Sequence, residues 1–221
     1  MRIFLAGGSG VIGSRLVPEL VAAGHEVTAT TRHADRFDRL RGLGATPVQV
    51  DVYDAARLTA VVAEAAPELV MHELTDLSDF DTDANARLRR EGTANLVAAA
   101  LAAGVQRMTV QSITWAYRDG DAPAVEDDPL QPDSAIETME DLVCRLPRLD
   151  WPDGAYHLVD DEPAPATEWL PVYADRLGAP APAVADVPVG TPRGRGASNA
   201  KARATGWTPI HPTWRTGFRH R

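Results

Sequence analysis

Gly7, Gly10 and Gly13 stand three residues apart in the run Ala6-Gly7-Gly8-Ser9-Gly10-Val11-Ile12-Gly13. The run directly follows an apolar stretch, Arg2 to Ala6, and opens a helical pattern, Val11 to Ala23. A strand that turns into a helix through glycines so spaced forms a phosphate cradle. The first glycine permits the tight turn, the second lets the backbone approach a pyrophosphate, and the third lets the helix pack closely on the strand. N–H groups at the helix start, with the positive end of its dipole, then hold the anion. The plain alternative is a structural turn capped by glycines.

Downstream, short apolar runs alternate with helical patterns, the signature of βαβ units and a parallel sheet buried on both faces. Strands are predicted at Arg2 to Ala6, Glu26 to Thr30, Thr46 to Val50, Leu69 to His72 and Arg107 to Gln111. Helices are predicted at Val11 to Ala23, Ala34 to Gly42, Ala55 to Ala65 and Ala84 to Ala103, with Gly24, Gly44 and Gly104 at left-handed caps. The fold class is therefore α/β, a Rossmann-type doubly wound parallel sheet over residues 1–147 with a small, reduced C-terminal region over 148–221. Past Gln111 the spacing predicts an exposed loop from Arg118 to Asp133, a helix from Ser134 to Leu146 and a strand from Ala155 to Val159. It also predicts a helix from Thr167 to Leu177 capped by Thr167, then an extended connector from Ala179 to Arg195.

A net charge of -9 opposes attraction to phosphate backbones, so no nucleic-acid partner is expected. No signal segment precedes the first strand and no apolar run approaches the roughly 20 residues that span a bilayer, which points to a cytoplasmic protein without a membrane partner. The single cysteine, Cys144, reads as a packing residue. The six histidines lack metal-ligand spacing, so no metal site is expected. The acidic runs Glu126-Asp127-Asp128 and Asp160-Asp161-Glu162 read as solvated loop faces.

At about 20 residues beyond a glycine loop, NAD-preferring proteins place an acid on the ribose 2′-hydroxyl. This chain has Thr31-Arg32-His33 there. Arg32 pairs with a 2′-phosphate instead, and Arg36 supplies a second contact, which favours NADP over the alternative NAD. Arg32 as a plain surface charge is the bland reading. Asp51, past the third strand, meets the adenine amino group or else caps the following helix.

These elements together resemble the extended short-chain dehydrogenase/reductase superfamily, in particular the NAD(P)-dependent epimerase/dehydratase family. The resemblance rests on the glycine loop, Asp51-Val52 after the third strand, His72 after the fourth, Gly92-Thr93-Ala94-Asn95-Leu96 on the next helix, and a tail with Asn199-Ala200-Lys201-Ala202 and Gly206-Trp207-Thr208-Pro209. It implies cofactor-binding roles for Gly7, Ser9, Gly10, Val11, Ile12, Gly13, Asp51, Val52 and His72. It also implies that Ser112 hydrogen-bonds the carbonyl or hydroxyl of a small-molecule substrate. The family further uses a tyrosine acid/base with a lysine four residues on. Here the corresponding stretch, Ser134-Ala135-Ile136-Glu137-Thr138-Met139-Glu140, has neither, and Lys201 is the only lysine in the chain. Tyr117, five residues after Ser112, is the nearby phenol able to replace the acid, but without an adjacent cation its pKa should stay about 10. Packing under the loop is its plain reading. The sequence is also short: Leu149-Asp150-Trp151 leads almost at once to Ala155-Tyr156-His157, which resembles a much later part of the family. Two functions follow: an atypical NADP-dependent oxidoreductase, epimerase or dehydratase, or a non-catalytic NAD(P)-binding sensor or scaffold. A homodimer through the helix bearing Leu96, Val97 and Leu101 is the expected assembly.

Overall fold

A computed structural model describes residues 1–76, 81–131, 154–184 and 194–218. The predicted helix at Ser134 to Leu146, Cys144 and the expected 147/148 boundary lie outside the described residues. The described chain divides into two units, one within residues 1–112 and the other formed by 113–131, 154–184 and 194–218.

The first unit is a parallel sheet of β1 (Arg2–Ala6), β2 (Glu26–Thr31), β3 (Thr46–Gln49), β4 (Leu69–His72) and β5 (Met108–Val110) in the order β3-β2-β1-β4-β5. The order reverses between β1 and β4, and the carboxyl ends of strands beside such a reversal form the crevice where α/β sheets take ligands. Helices α1 (Gly13–Ala22) and α2 (Phe37–Gly42, led by a 3-10 turn at Ala34–Arg36) follow β1 and β2. The crossover from β3 to β4 is α3 (Ala55–Ala65), and that from β4 to β5 is α4 (Thr82–Arg87), a π-turn (Leu88–Gly92) and α5 (Thr93–Ala102). The single helix expected over Ala84 to Ala103 is thus interrupted by one wide turn, a feature that favours functional sites.

Two apolar layers flank the sheet. Leu5, Val17, Val27, Ala29 and Leu40 form one, while Phe4, Leu58, Val62, Val70, Leu96 and Ala100 form the other. Leu96 and Val97 are consumed by the chain's own core, so of the three residues expected at a dimer face only Leu101 is exposed. Gly24, Gly44 and Gly104 all hold positive φ after their helices, as expected. After α3 the left-handed residue is Ala66, which no glycine announces.

In the second unit the segment from Arg118 is not the open loop expected. Arg118 N–H donates to Pro129 O, Gln131 N–H donates to Ala116 O, and Tyr117 bridges antiparallel to Leu130, so the segment folds back on itself. Residues 118–123 are exposed, but Ala124 is buried and exchanges backbone bonds with residues 196 and 198. Residues 155–159 form no strand; Glu126 accepts the His157 N–H and Asn199 donates to Val159 O. Helix α6 (Ala166–Arg176) begins before Thr167, which is therefore not its cap, and holds Pro171 in its interior rather than its first turn. Short helices α7 (Ala200–Ala204) and α8 (Trp214–Gly217) complete the unit. No described helix is long and apolar enough to cross a membrane.

Candidate functional site: a dinucleotide cradle

The glycine loop is fixed from beneath by β2. Thr30 Oγ1 accepts the Gly7 N–H at 3.0 Å, and Ser9 Oγ donates to Thr31 Oγ1 at 3.0 Å. Each glycine has a separate steric reason. Gly7 holds φ +95, and a Cβ there would stand 2.8 Å from Glu73 O. A Cβ on Gly13 would stand 2.4 Å from Gly7 O, and one on Gly8 would stand 2.6 Å from the Ala29 Cβ. Gly8 is a packing glycine that the spacing of the other three does not reveal. Gly10 meets only Gly7 O, at 3.2 Å, so its outer side is open to a ligand backbone. Val11 and Ile12 are exposed apolar residues at the mouth of α1, where Ser14 N–H donates to Gly10 O and Leu16 N–H to Ile12 O. Loop, helix start and open apolar lip suit a dinucleotide pyrophosphate.

Arg32 follows β2 directly and is exposed, its guanidinium 3.6 Å from the Asp76 carboxylate. Arg36 Nη1 reaches to 3.5 Å from Ser9 Oγ. Arg36 therefore borders the loop, while Arg32 faces the segment after β4. Asp51 is exposed and accepts the Tyr53 N–H at 3.0 Å. It does not cap α3: Asp54 does, accepting from Arg57 N–H. Val52 turns its side chain into the core, and its carbonyl accepts from Asn95 Nδ2 at 3.0 Å. Gly92 is needed beside it, since a Cβ there would press on Val52 and Leu88 at 3.0 Å.

His72 is buried and engaged at both ring nitrogens. Leu74 N–H donates to Nδ1 at 3.2 Å, so the proton resides on Nε2, which donates to Thr93 Oγ1 at 2.9 Å. Burial, with the Arg89 cation next in weight, lowers its pKa to about 4, keeping the ring neutral. His72 thus shapes the turn after β4, and any part it has in nucleotide binding passes through that turn. Glu73 follows at the crevice, its N–H on Ala6 O at 2.9 Å, and burial raises its carboxyl to about 6. Arg89, on the π-turn, is buried with Nη1 3.5 Å from Gln111 O, one residue before the exposed Ser112.

The glycine loop after β1 and strand β4, beside the β1/β4 reversal, fall within the stretch that matches a known family. The NAD(P)H-binding family covers residues 7–152. The chain belongs to that family. Its fold and relatives place it among the epimerase/dehydratase members of the short-chain dehydrogenase/reductase superfamily. It is 32% identical to a 3-diazoavenalumate denitrifying reductase from a Streptomyces species, over 99% of both chains. That alignment runs over 306 positions against 221 residues here, so a stretch of the reductase has no counterpart in this chain. A UDP-glucose 4-epimerase from Klebsiella pneumoniae is 30% identical over 57% of this chain and 96% of its own. Among solved structures, the Bordetella bronchiseptica enzyme WbmG in complex with NAD superposes with a TM-score of 0.63 at 27% identity over 80% of this chain. The match spans 59% of that enzyme's length.

This NAD(P)H-binding chain keeps its other polar cluster in the second unit. Tyr117, with 8% of its surface exposed, hydrogen-bonds His157 Nε2 at 2.8 Å, and His157 Nδ1 is 3.0 Å from Ser198 O. Glu126 Oε1 accepts the His157 N–H at 2.9 Å and has a side chain only 4% exposed. The acidic runs are therefore solvated only in part: Asp127 and Asp161 are exposed. Glu126 is buried, Asp128 pairs with Arg195 at 2.7 Å, Asp161 with Arg203, and Glu162 with Arg215 at 2.6 Å. Among the described residues, no three His, Cys, Asp or Glu side chains gather as metal ligands would.

Proposed function

We propose that the chain is an NADP-preferring oxidoreductase or epimerase acting on the carbonyl or hydroxyl group of a small molecule. The observation that carries the reading is Arg36, whose Nη1 lies 3.5 Å from Ser9 Oγ on the glycine loop, together with Arg32 one residue past β2 in place of the acid. An arginine pair there meets a 2′-phosphate with charge-assisted hydrogen bonds, whereas a ribose hydroxyl calls for an acceptor. Bound nicotinamide supplies or receives the hydride. Ser112, exposed after β5, is proposed to hydrogen-bond the substrate oxygen. The epimerase among the relatives supports redox chemistry at a carbon–oxygen centre, and the denitrifying reductase supports reduction more broadly.

Titrating the protein with NADPH and with NADH, followed by nicotinamide fluorescence, tests the reading. NADPH is expected to bind the more tightly, and Arg32→Ala to weaken NADPH by tenfold or more, about 1.4 kcal/mol, while changing NADH little. Equal losses for both nucleotides would remove the NADP preference. Binding of neither would leave a scaffold that keeps only the fold.

A further inference from the structure

The guanidinium proposed to meet a 2′-phosphate faces an anion of the chain's own. Arg32 Nη1 stands 3.6 Å from Asp76 Oδ2, a carboxylate four residues past the end of β4 in the same unit. Neighbouring arginines are engaged elsewhere: Arg36 reaches toward Ser9, and Arg87 donates to both oxygens of Glu91, at 2.7 and 3.1 Å. Asp76 is held in place. Its backbone N–H donates to Asn85 Oδ1 at 3.2 Å, which fastens the turn that carries it to α4. Its side chain is 29% exposed against 54% for Arg32, so the carboxylate is the more fixed partner and the guanidinium the more movable one. Asp76 also belongs to an acidic border. Burial chiefly raises the Tyr53 phenol, Arg87 opposes the shift, and Glu91, Asp51 and Asp76 add to it, so the carboxylates past β3 and β4 act on one ring. The carboxyl ends of β2, β3 and β4 thus set Arg32 beside acids.

We propose that Asp76 is a specificity-determining residue: it is the anion that a 2′-phosphate must outcompete for Arg32, and it limits how far the site favours a phosphorylated adenosine ribose over a plain one. The inference rests on the reading of Arg32 as the 2′-phosphate contact. The two anions are unequal. A phosphate brings close to two negative charges and three acceptor oxygens, a carboxylate one charge and two oxygens, so the phosphate takes the guanidinium. Asp76 nevertheless stays beside the contact, because its backbone is tied to α4. If the guanidinium turns wholly to the phosphate, its pair with Asp76 is lost. If it bridges both, two anions share one cation at close range. In either arrangement Asp76 subtracts from the affinity for the phosphorylated ribose. A plain ribose hydroxyl carries no charge and leaves the pair intact. Specificity is a difference between two affinities, and Asp76 lowers one of them. The worth of a partly exposed ion pair corresponds to at most about fivefold in affinity.

Adenosine 2′,5′-bisphosphate and 5′-AMP differ only in the 2′-phosphate, and calorimetric titration of both into the full chain reads the contest directly. Asp76→Asn keeps the size of the side chain and the N–H that Asn85 accepts, and it removes the charge. It is expected to tighten the bisphosphate by about two- to fivefold and to leave 5′-AMP unchanged. In Arg32→Ala, where the contested cation is gone, the same substitution should bring no such gain. An unchanged affinity for the bisphosphate in Asp76→Asn, equal tightening of both ligands, or a full gain that persists in Arg32→Ala would each overturn the proposal. Failure of the cofactor reading looks different. The bisphosphate would then bind no better than 5′-AMP, or Arg32→Ala would leave it unchanged, and the contest would fall with that reading. Arg32-dependent binding of the bisphosphate that ignores Asp76 would overturn the contest alone.

Discussion

Gly13→Ala is expected to lose both stability and nucleotide binding, while Gly10→Ala loses binding alone. The added methyl at Gly13 meets Gly7 O at 2.4 Å, Gly8 Cα at 2.7 Å and Gly8 C at 2.9 Å, all backbone atoms that cannot swing aside. A glycine-to-alanine change in a helix normally gains up to about 1 kcal/mol, but overpacking costs about 1–3 kcal/mol, so the clash wins. At Gly10 the methyl meets only one atom, Gly7 O at 3.2 Å, which needs a few tenths of an ångström of give. Its effect should fall on the open side, where the pyrophosphate approaches. Urea unfolding and NADPH titration of both variants separate the two roles. Equal stability losses would show that the open side of Gly10 is closed by protein rather than kept for a ligand.

Acid is expected to destabilise the first unit through His72. Its folded pKa of about 4 lies below the unfolded value of 6.5, so the unfolded chain binds the proton more readily. The contribution is fully present above pH 6.5, declines as pH falls and is gone below about 4. A shift of this size is about 3 kcal/mol. Glu73 acts in the opposite sense. Its carboxyl, raised from 4.5 to about 6, contributes stability below pH 4.5 that is lost as pH rises through 6. Because it is partly in solvent, its term is discounted to about 1 kcal/mol. Denaturant unfolding at pH 7 and pH 4 should therefore show a net loss at pH 4, and Glu73→Gln should steepen that loss. A variant with the same pH dependence as the wild type would show that Glu73 ionises as freely folded as unfolded.

Much of the first unit is legible in the sequence because its determinants are local. The strands from Arg2 to His72 follow from apolar runs bounded by turns, and the cradle follows from three glycines within seven residues. The π-turn is not legible, since Leu88 to Gly92 keeps helical composition and only the burial of Arg89 and the fit of Gly92 on Val52 reveal it. The second unit resists for a different reason. His157 lies 40 residues from Tyr117 and 31 from Glu126, and neither spacing belongs to a helix or a strand. An acidic run also looks alike whether its carboxylates meet water or a buried imidazole. Glu126 could be told from Asp127 only after the chain had folded back.

The threonines ending β2 bear on how nucleotide preference could evolve or be redesigned. Thr30 and Thr31 hold the cradle through their hydroxyls, and Arg32, the residue proposed to meet the adenosine ribose, comes immediately after them. Selectivity and grip are therefore adjacent in the chain but rest on different atoms. A switch made at position 32 or 36 exchanges a contact at the rim and leaves the anchor intact. The same switch made one position earlier, by placing the acid at 31, removes the hydroxyl that Ser9 leans on and slackens the grip on either nucleotide. Lineages that trade one cofactor for the other have a free path on one side of that boundary and a barrier on the other.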